Sequence, residues 1–141
     1  MRKRVICGVL FALLLILAPT TAFAADAKAS SRIMSYSAEL RVGSDKELNI
    51  YFSVTTSSIM DIIGASQIDI QRYNGSRWVT ECTLTVEDEP KMQTSDAVRH
   101  SAIIAYEPNY SSSNYRAIVT VYAKDSFGSS TAKTTSGTVT T

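Results

Sequence analysis

Leu48-Asn49-Ile50-Tyr51-Phe52-Ser53-Val54-Thr55 is the stretch that decides the fold. Side chains alternate strictly, so Leu48, Ile50, Phe52 and Val54 share one face and Asn49, Tyr51 and Ser53 the other. A helix would scatter these residues around its circumference. A strand lays the four apolar ones on a core and leaves their neighbours in water, which is the pattern of a sheet covered on one side.

The same period continues on both sides. Ile33 to Val42 precedes it, with Tyr36, Ala38, Leu40 and Val42 on one face, joined through the turn Gly43-Ser44-Asp45-Lys46. After it, Ser57 to Gly64 changes period: Ile59, Ile62 and Ile63 are spaced three and four apart, a serine precedes them as N-cap and Gly64 follows as a stop. This spacing predicts one or two helical turns that cap one end of the core. Gln67 to Tyr73 returns to alternation with Ile68 and Ile70 inward, and Asn74-Gly75 predicts a type I′ hairpin turn. The returning arm, Arg77 to Glu87, puts Trp78, Cys82, Leu84 and Val86 on one parity and Val79, Glu81, Thr83 and Thr85 on the other.

Glu87-Asp88-Glu89-Pro90-Lys91 forms a charged crossover, followed by a strand over Ala97 to Tyr106 and a loop over Glu107 to Asn114. Tyr115 to Ala123 presents Tyr115, Ala117, Val119, Val121 and Ala123 inward. Lys124-Asp125-Ser126-Phe127-Gly128 then turns the chain into a Ser/Thr-rich edge strand, Ser130 to Thr140. The expectation is an all-β, seven-stranded Greek-key sandwich over residues 32–141, with one short helical turn between the second and third strands. Parity predicts a core of Leu40, Leu48, Ile50, Phe52, Ile68, Ile70, Trp78, Leu84, Ile104, Tyr115, Ala117, Val119 and Val121.

Residues 1–24 read as a signal peptide: Arg2, Lys3 and Arg4 precede an apolar run from Val5 to Leu17, and Ala22-Phe23-Ala24 has the small-x-small form of a cleavage site. The apolar run is too short to span a bilayer as a helix and is followed by Pro19. Removing 24 residues from 141 leaves 117, with residues 25–31 as a flexible leader and no membrane span expected. With the three basic residues of the signal gone, 11 Lys and Arg stand against 13 Asp and Glu, and their scatter argues against nucleic acid as a partner. Secretion, to the exterior or the cell envelope, is the expected location.

Chemistry is sparse. Once Cys7 leaves with the signal, Cys82 is the only thiol, and it is expected to be a buried, unreactive strand residue in a monomer. His100, the single imidazole, would have to serve any histidine-based triad, and without a nucleophile elbow it reads as structural. Asp61, Asp69, Glu81 and the run Glu87-Asp88-Glu89 are the carboxylates that a small hydrolase or a calcium site would draw on. The run lacks the alternating Asp-x-Asp ligand spacing. No cofactor and no metal are expected, and the chain is read as non-enzymatic. Asn74-Gly75-Ser76 and Asn109-Tyr110-Ser111 match a glycosylation sequon but are explained by turn geometry.

Ser113-Asn114-Tyr115-Arg116-Ala117-Ile118-Val119-Thr120-Val121-Tyr122-Ala123 resembles the penultimate strand of immunoglobulin-like and fibronectin-like domains. The resemblance implies that Tyr115 closes a corner with its hydroxyl and that Ala117 takes an inward position often held by Cys. Two features depart from the family: there is no cysteine pair, and Trp78 follows the Asn-Gly turn rather than preceding it. As a whole the chain also resembles small exported Gram-positive bacterial proteins of one β-domain, a likeness that carries no activity. The reading that follows is a secreted interaction module binding an extracellular protein or glycan through loops or a sheet edge. Tyr106, Tyr110, Asp125 and Phe127 are its candidate contacts. Two arrangements are open at the Phe127 end: Ile59 and Met60 join Phe127 in an apolar patch rimmed by Asp61 and Asp125, or the isoleucines cap the core and Phe127 folds down onto them. The alternatives are an assembly subunit acting by strand addition and a small carboxylate-dependent hydrolase.

Overall fold

Nine strands follow one another along residues 32–141, which are those the computed structural model describes; the expected signal peptide and leader lie outside the described residues. They are β1 (Ile33–Val42), β2 (Leu48–Met60), β3 (Ile62–Tyr73), β4 (Trp78–Thr85), β5 (Gln93–Thr94), β6 (Ala97–Tyr106), β7 (Asn114–Asp125), β8 (Gly128–Thr135) and β9 (Val139–Thr140), with a 3-10 turn at Pro90–Met92. One antiparallel sheet has the order β1-β2-β6. The other has β4-β3-β7-β8, with β5 paired to β3 and β9 to β7.

Alternation becomes burial at the two central strands. On β2 the apolar parity, Leu48, Ile50, Phe52 and Val54, is buried, and on β7 so are Tyr115, Ala117, Val119, Val121 and Ala123. Leu40, Ile68, Ile70 and Ile104 complete the layer between the sheets, each such side chain stabilising by about 1.5–3 kcal/mol on leaving water. On the edge strand β1 only Leu40 is buried; Tyr36 and Val42 remain exposed.

Four expectations are corrected. The count is nine strands, not seven, because two-residue pieces extend the larger sheet: β5 beside the start of β3 and β9 beside the start of β7. The last strand breaks at Ser136, whose backbone N–H bonds the Ala117 carbonyl while its Oγ accepts the Ala117 N–H at 2.9 Å.

No helical turn forms over Ser57 to Gly64. β2 runs on to Met60, bulging outward between Thr55 and Met60, and the chain changes sheets at Asp61. Met60 and Ile63 are thereby buried while Ile59 is left 67% exposed, so the three- and four-residue spacing records a corner rather than a helix face. Gly64, at φ +151, is no helix stop; a Cβ there would lie 2.7 Å from the Gln93 Cα and closer still to the Met92 carbonyl oxygen.

The hairpin turn is centred one residue later than expected. Asn74 N–H bonds the Arg77 carbonyl at 3.0 Å, which centres the turn on Gly75 and Ser76, and only Gly75 has positive φ, whereas a type I′ turn requires it at both central residues. Asn74 Oδ1 instead accepts from the Ser76 and Arg77 amides, each at 3.0 Å.

Finally, Trp78 is not a core residue. Ile70 pairs with Cys82 but Gln71 with Thr80, so Glu81 is an extra residue in β4 and reverses the parity on its two sides. Leu84 and Cys82 pack against the core as half-buried residues, whereas Trp78 joins Thr80 on the outer face.

Cys82 is half-buried, and that burial, then the charges of Asp88 and Glu81, push its thiol pKa up. Cys82→Ala is therefore expected to leave the oligomeric state unchanged, and the native thiol to label slowly. Rapid labelling, or a dimer dissolved by reductant, would contradict this.

Candidate functional site

The strand order sets the four candidate contacts at opposite ends of the sandwich. Tyr106 ends β6 and Tyr110 lies in the loop that enters β7, while Asp125 and Phe127 lie in the hairpin that leaves it. The ten-residue step from Tyr115 to Asp125 spans about 33 Å of extended chain.

At the first end the bulge in β4 turns Glu81 inward, its side chain only 7% exposed. Glu81 Oε2 accepts from the Tyr106 hydroxyl at 2.8 Å and Oε1 from the Tyr115 hydroxyl at 3.0 Å. Arg72 Nε stands 3.6 Å from Oε1, an ion pair rather than a hydrogen bond, and the Arg72 guanidinium lies 4.0 Å from the centre of the Tyr110 ring. With its proton given to Glu81, the Tyr115 oxygen accepts the Tyr110 N–H at 3.3 Å. One carboxylate thus ties β4 to β6 across the two sheets and to β7 within its own, and two O–H donors with a nearby cation compensate its burial. Alternation alone placed Glu81 on the outer face; a two-against-one bulge leaves no signature in the period.

Burial, and then the bond and charge of Glu81, push the Tyr115 hydroxyl up to about 12 and raise Tyr106 as well. An unfolded tyrosine loses its proton near pH 10, so the stabilisation Tyr115 supplies is full below pH 10 and lost as the pH rises through about 12. Glu81→Gln is expected to cost about 1–3 kcal/mol and to bring both late-titrating tyrosines down, read by ultraviolet phenolate titration. Unchanged titration would remove Glu81 from the cluster.

Beside this clamp the β1–β2 turn, with Asp45 and Lys46, and the β6–β7 loop, with Glu107, Pro108 and Tyr110, border a cleft of about 160 Å³. That is below the roughly 300–1,000 Å³ of ordinary small-molecule sites. Two of the other candidate carboxylates, Asp69 and Asp88, are engaged in local structure. Asp69 accepts from Thr83 Oγ1 at 2.7 Å, and Asp88 accepts the Thr85 N–H at 2.9 Å, which together with the Thr85 hydroxyl lowers its pKa. Among the described residues no three His, Cys, Asp or Glu converge on a metal position. His100 Nε2 lies 2.8 Å from the Lys91 carbonyl, to which it donates, and its ring packs at 5.9 Å from Phe52, tying the 3-10 turn to the core.

At the opposite end Asp125 pairs with Arg32 at 2.9 Å and accepts the Phe127 N–H at 2.8 Å. Arg32 first, and the Phe127 amide with it, hold the Asp125 carboxyl below its usual range. This rigid turn holds Phe127 90% exposed. The corner after β2 is at the same end, because Ile62 at the start of β3 pairs with Lys124. Ile59 is exposed there, as is Met34 at 69% in the β1 bulge, while Met60 is buried and leaves the patch.

Comparison with protein-family models, with curated proteins and with solved structures finds no match to the chain.

Proposed function

We propose that the chain is an exported, non-catalytic interaction module on a fibronectin-like Greek-key sandwich, engaging a protein partner at the Phe127 end. The pairing of β2 with β6 and the order β3-β7-β8 support the topological part of this reading, as does the Tyr115 hydroxyl meeting the Tyr110 backbone. The observation that carries the functional part is Phe127 itself, 90% exposed on a turn braced by Asp125 and Arg32. An aromatic ring carried on a braced backbone has only two side-chain torsions to fix on docking, which suits a binding hot spot. Ile59 and Met34 extend the apolar surface at the same end.

The test uses the immobilised full chain and its Phe127→Ala variant, with cell-envelope and host-surface extracts. Phe127→Ala is expected to change stability by less than about 0.5 kcal/mol while abolishing capture of a partner that the native chain retains. A stability loss of about 2 kcal/mol or more would make Phe127 a packing residue. Capture that survives the substitution, or no capture by the native chain, would overturn the proposal.

A further inference from the structure

The bulge at Glu81 has a second consequence on the outer face of the larger sheet, where it sets Trp78. Arg116 of β7 lays its guanidinium over the Trp78 ring at 4.4 Å, and its Nε donates to Gln71 Oε1 at 2.8 Å. The Tyr73 ring stands 5.5 Å from Trp78, tilted by 57°. Gln71 Nε2 reaches Thr80 Oγ1 at 3.3 Å, and in the next row Asp69 accepts from Gln67 Nε2 and Thr83 Oγ1 at 2.9 and 2.7 Å. The register sets Thr80, Gln71 and Arg116 across one row and Thr83, Asp69 and Ile118 across the next. The planar groups of this face are therefore oriented before any ligand arrives.

Arg116 makes no ion pair among the described residues, whose pairs are Arg32–Asp125, Arg41–Glu39, Arg72–Glu81 and Lys91–Glu89. Gln71 engages its Nε, and its two terminal amino groups remain as a fork over the indole. A guanidinium so held matches a carboxylate bidentately, with little rotamer entropy left to lose. Lys133, paired with Thr120 on β8, adds positive charge further along the face, and the carboxylate of Asp69 is already occupied by Gln67 and Thr83.

We propose that this face binds a carboxylated saccharide, a chain bearing uronic acid residues, with a carboxylate on Arg116 and a sugar ring against the Trp78–Tyr73 edge. The surroundings choose saccharide over acidic peptide. After their bonds to one another, Gln71 keeps one amide N–H, Thr80 its hydroxyl proton and Gln67 its carbonyl oxygen, at cross-strand spacings of about 5 Å suited to successive sugar hydroxyls. Acidic peptide motifs are read by clusters of arginines, and Arg116 is the single arginine of these two rows. This surface is separate from the Phe127 end and does not depend on it.

Trp78 is the chain's only tryptophan, so its emission reads the site directly. Full chain is titrated with oligogalacturonate, with neutral dextran and with poly-glutamate, and binding is confirmed by calorimetry. The expected result is a saturable change in Trp78 emission with oligogalacturonate and none with dextran. Arg116→Gln and Arg116→Lys are both expected to weaken binding about tenfold or more, the lysine because it keeps the charge but loses the fork. A thermal melt checks that each variant is folded, and Trp78→Phe followed by calorimetry supplies a second route if one is not. Absence of saturable binding by the native chain overturns the proposal, as does native-like binding by Arg116→Lys. Equal affinity for poly-glutamate overturns the saccharide assignment.

Discussion

Gly64→Ala is expected to destabilise the protein by about 3 kcal/mol or more, a large effect for the addition of one methyl group. Two causes act together. The backbone sits at φ +151, a region that L side chains rarely adopt, and the new Cβ would press on the Met92 carbonyl and lie 2.7 Å from the Gln93 Cα. Both neighbours are backbone, so no flexible side chain can yield. The only relief is to detach β5 from β3, which breaks the Gly64–Gln93 pairing and uncovers Met92, a fully buried core residue. A denaturant melt measures the loss, and amide exchange at Gln93 and Thr94 shows whether the detachment is local. A change below about 1 kcal/mol would mean that the close approach of β3 to β5 is wrong.

Phe52→Ala is expected to cost about 3–5 kcal/mol. Phe52 is 3% exposed on β2, the central strand of its sheet, with Ala38 opposite on one side and Ala102 on the other. These small neighbours cannot fill the space the ring leaves, so the cavity persists. His100 loses the ring it packs on, which loosens its bond to Lys91 and the 3-10 turn below. A loss under about 1 kcal/mol would remove Phe52 from the core.

These two residues differ in how far the sequence reveals them. Phe52 is legible because its parity is local: four apolar residues at every second position define a buried face whatever the partner sheet is. Gly64 is legible only as a breaker, and the local spacing of Ile59, Ile62 and Ile63 points to a helix. What makes the glycine necessary is Met92, 28 residues further on, and no local pattern contains that contact. The candidate site divides in the same way. Asp125 and Phe127 are marked by turn residues around an aromatic, and the hairpin holds them as a unit. Tyr106 and Tyr110 are marked as aromatics near strand ends, but the buried carboxylate that organises them is not.

From the sequence by itself follow the all-β class, the faces of β2 and β7 and most of the core, since each depends on side chains within a few positions of one another. Only the tertiary structure decided where the chain changes sheets, that Glu81 faces in and Trp78 out, and that Phe127 stands in water. A single inserted residue in β4 reverses every side chain on one side of it, and its place is set by the strand it pairs with rather than by the residues beside it.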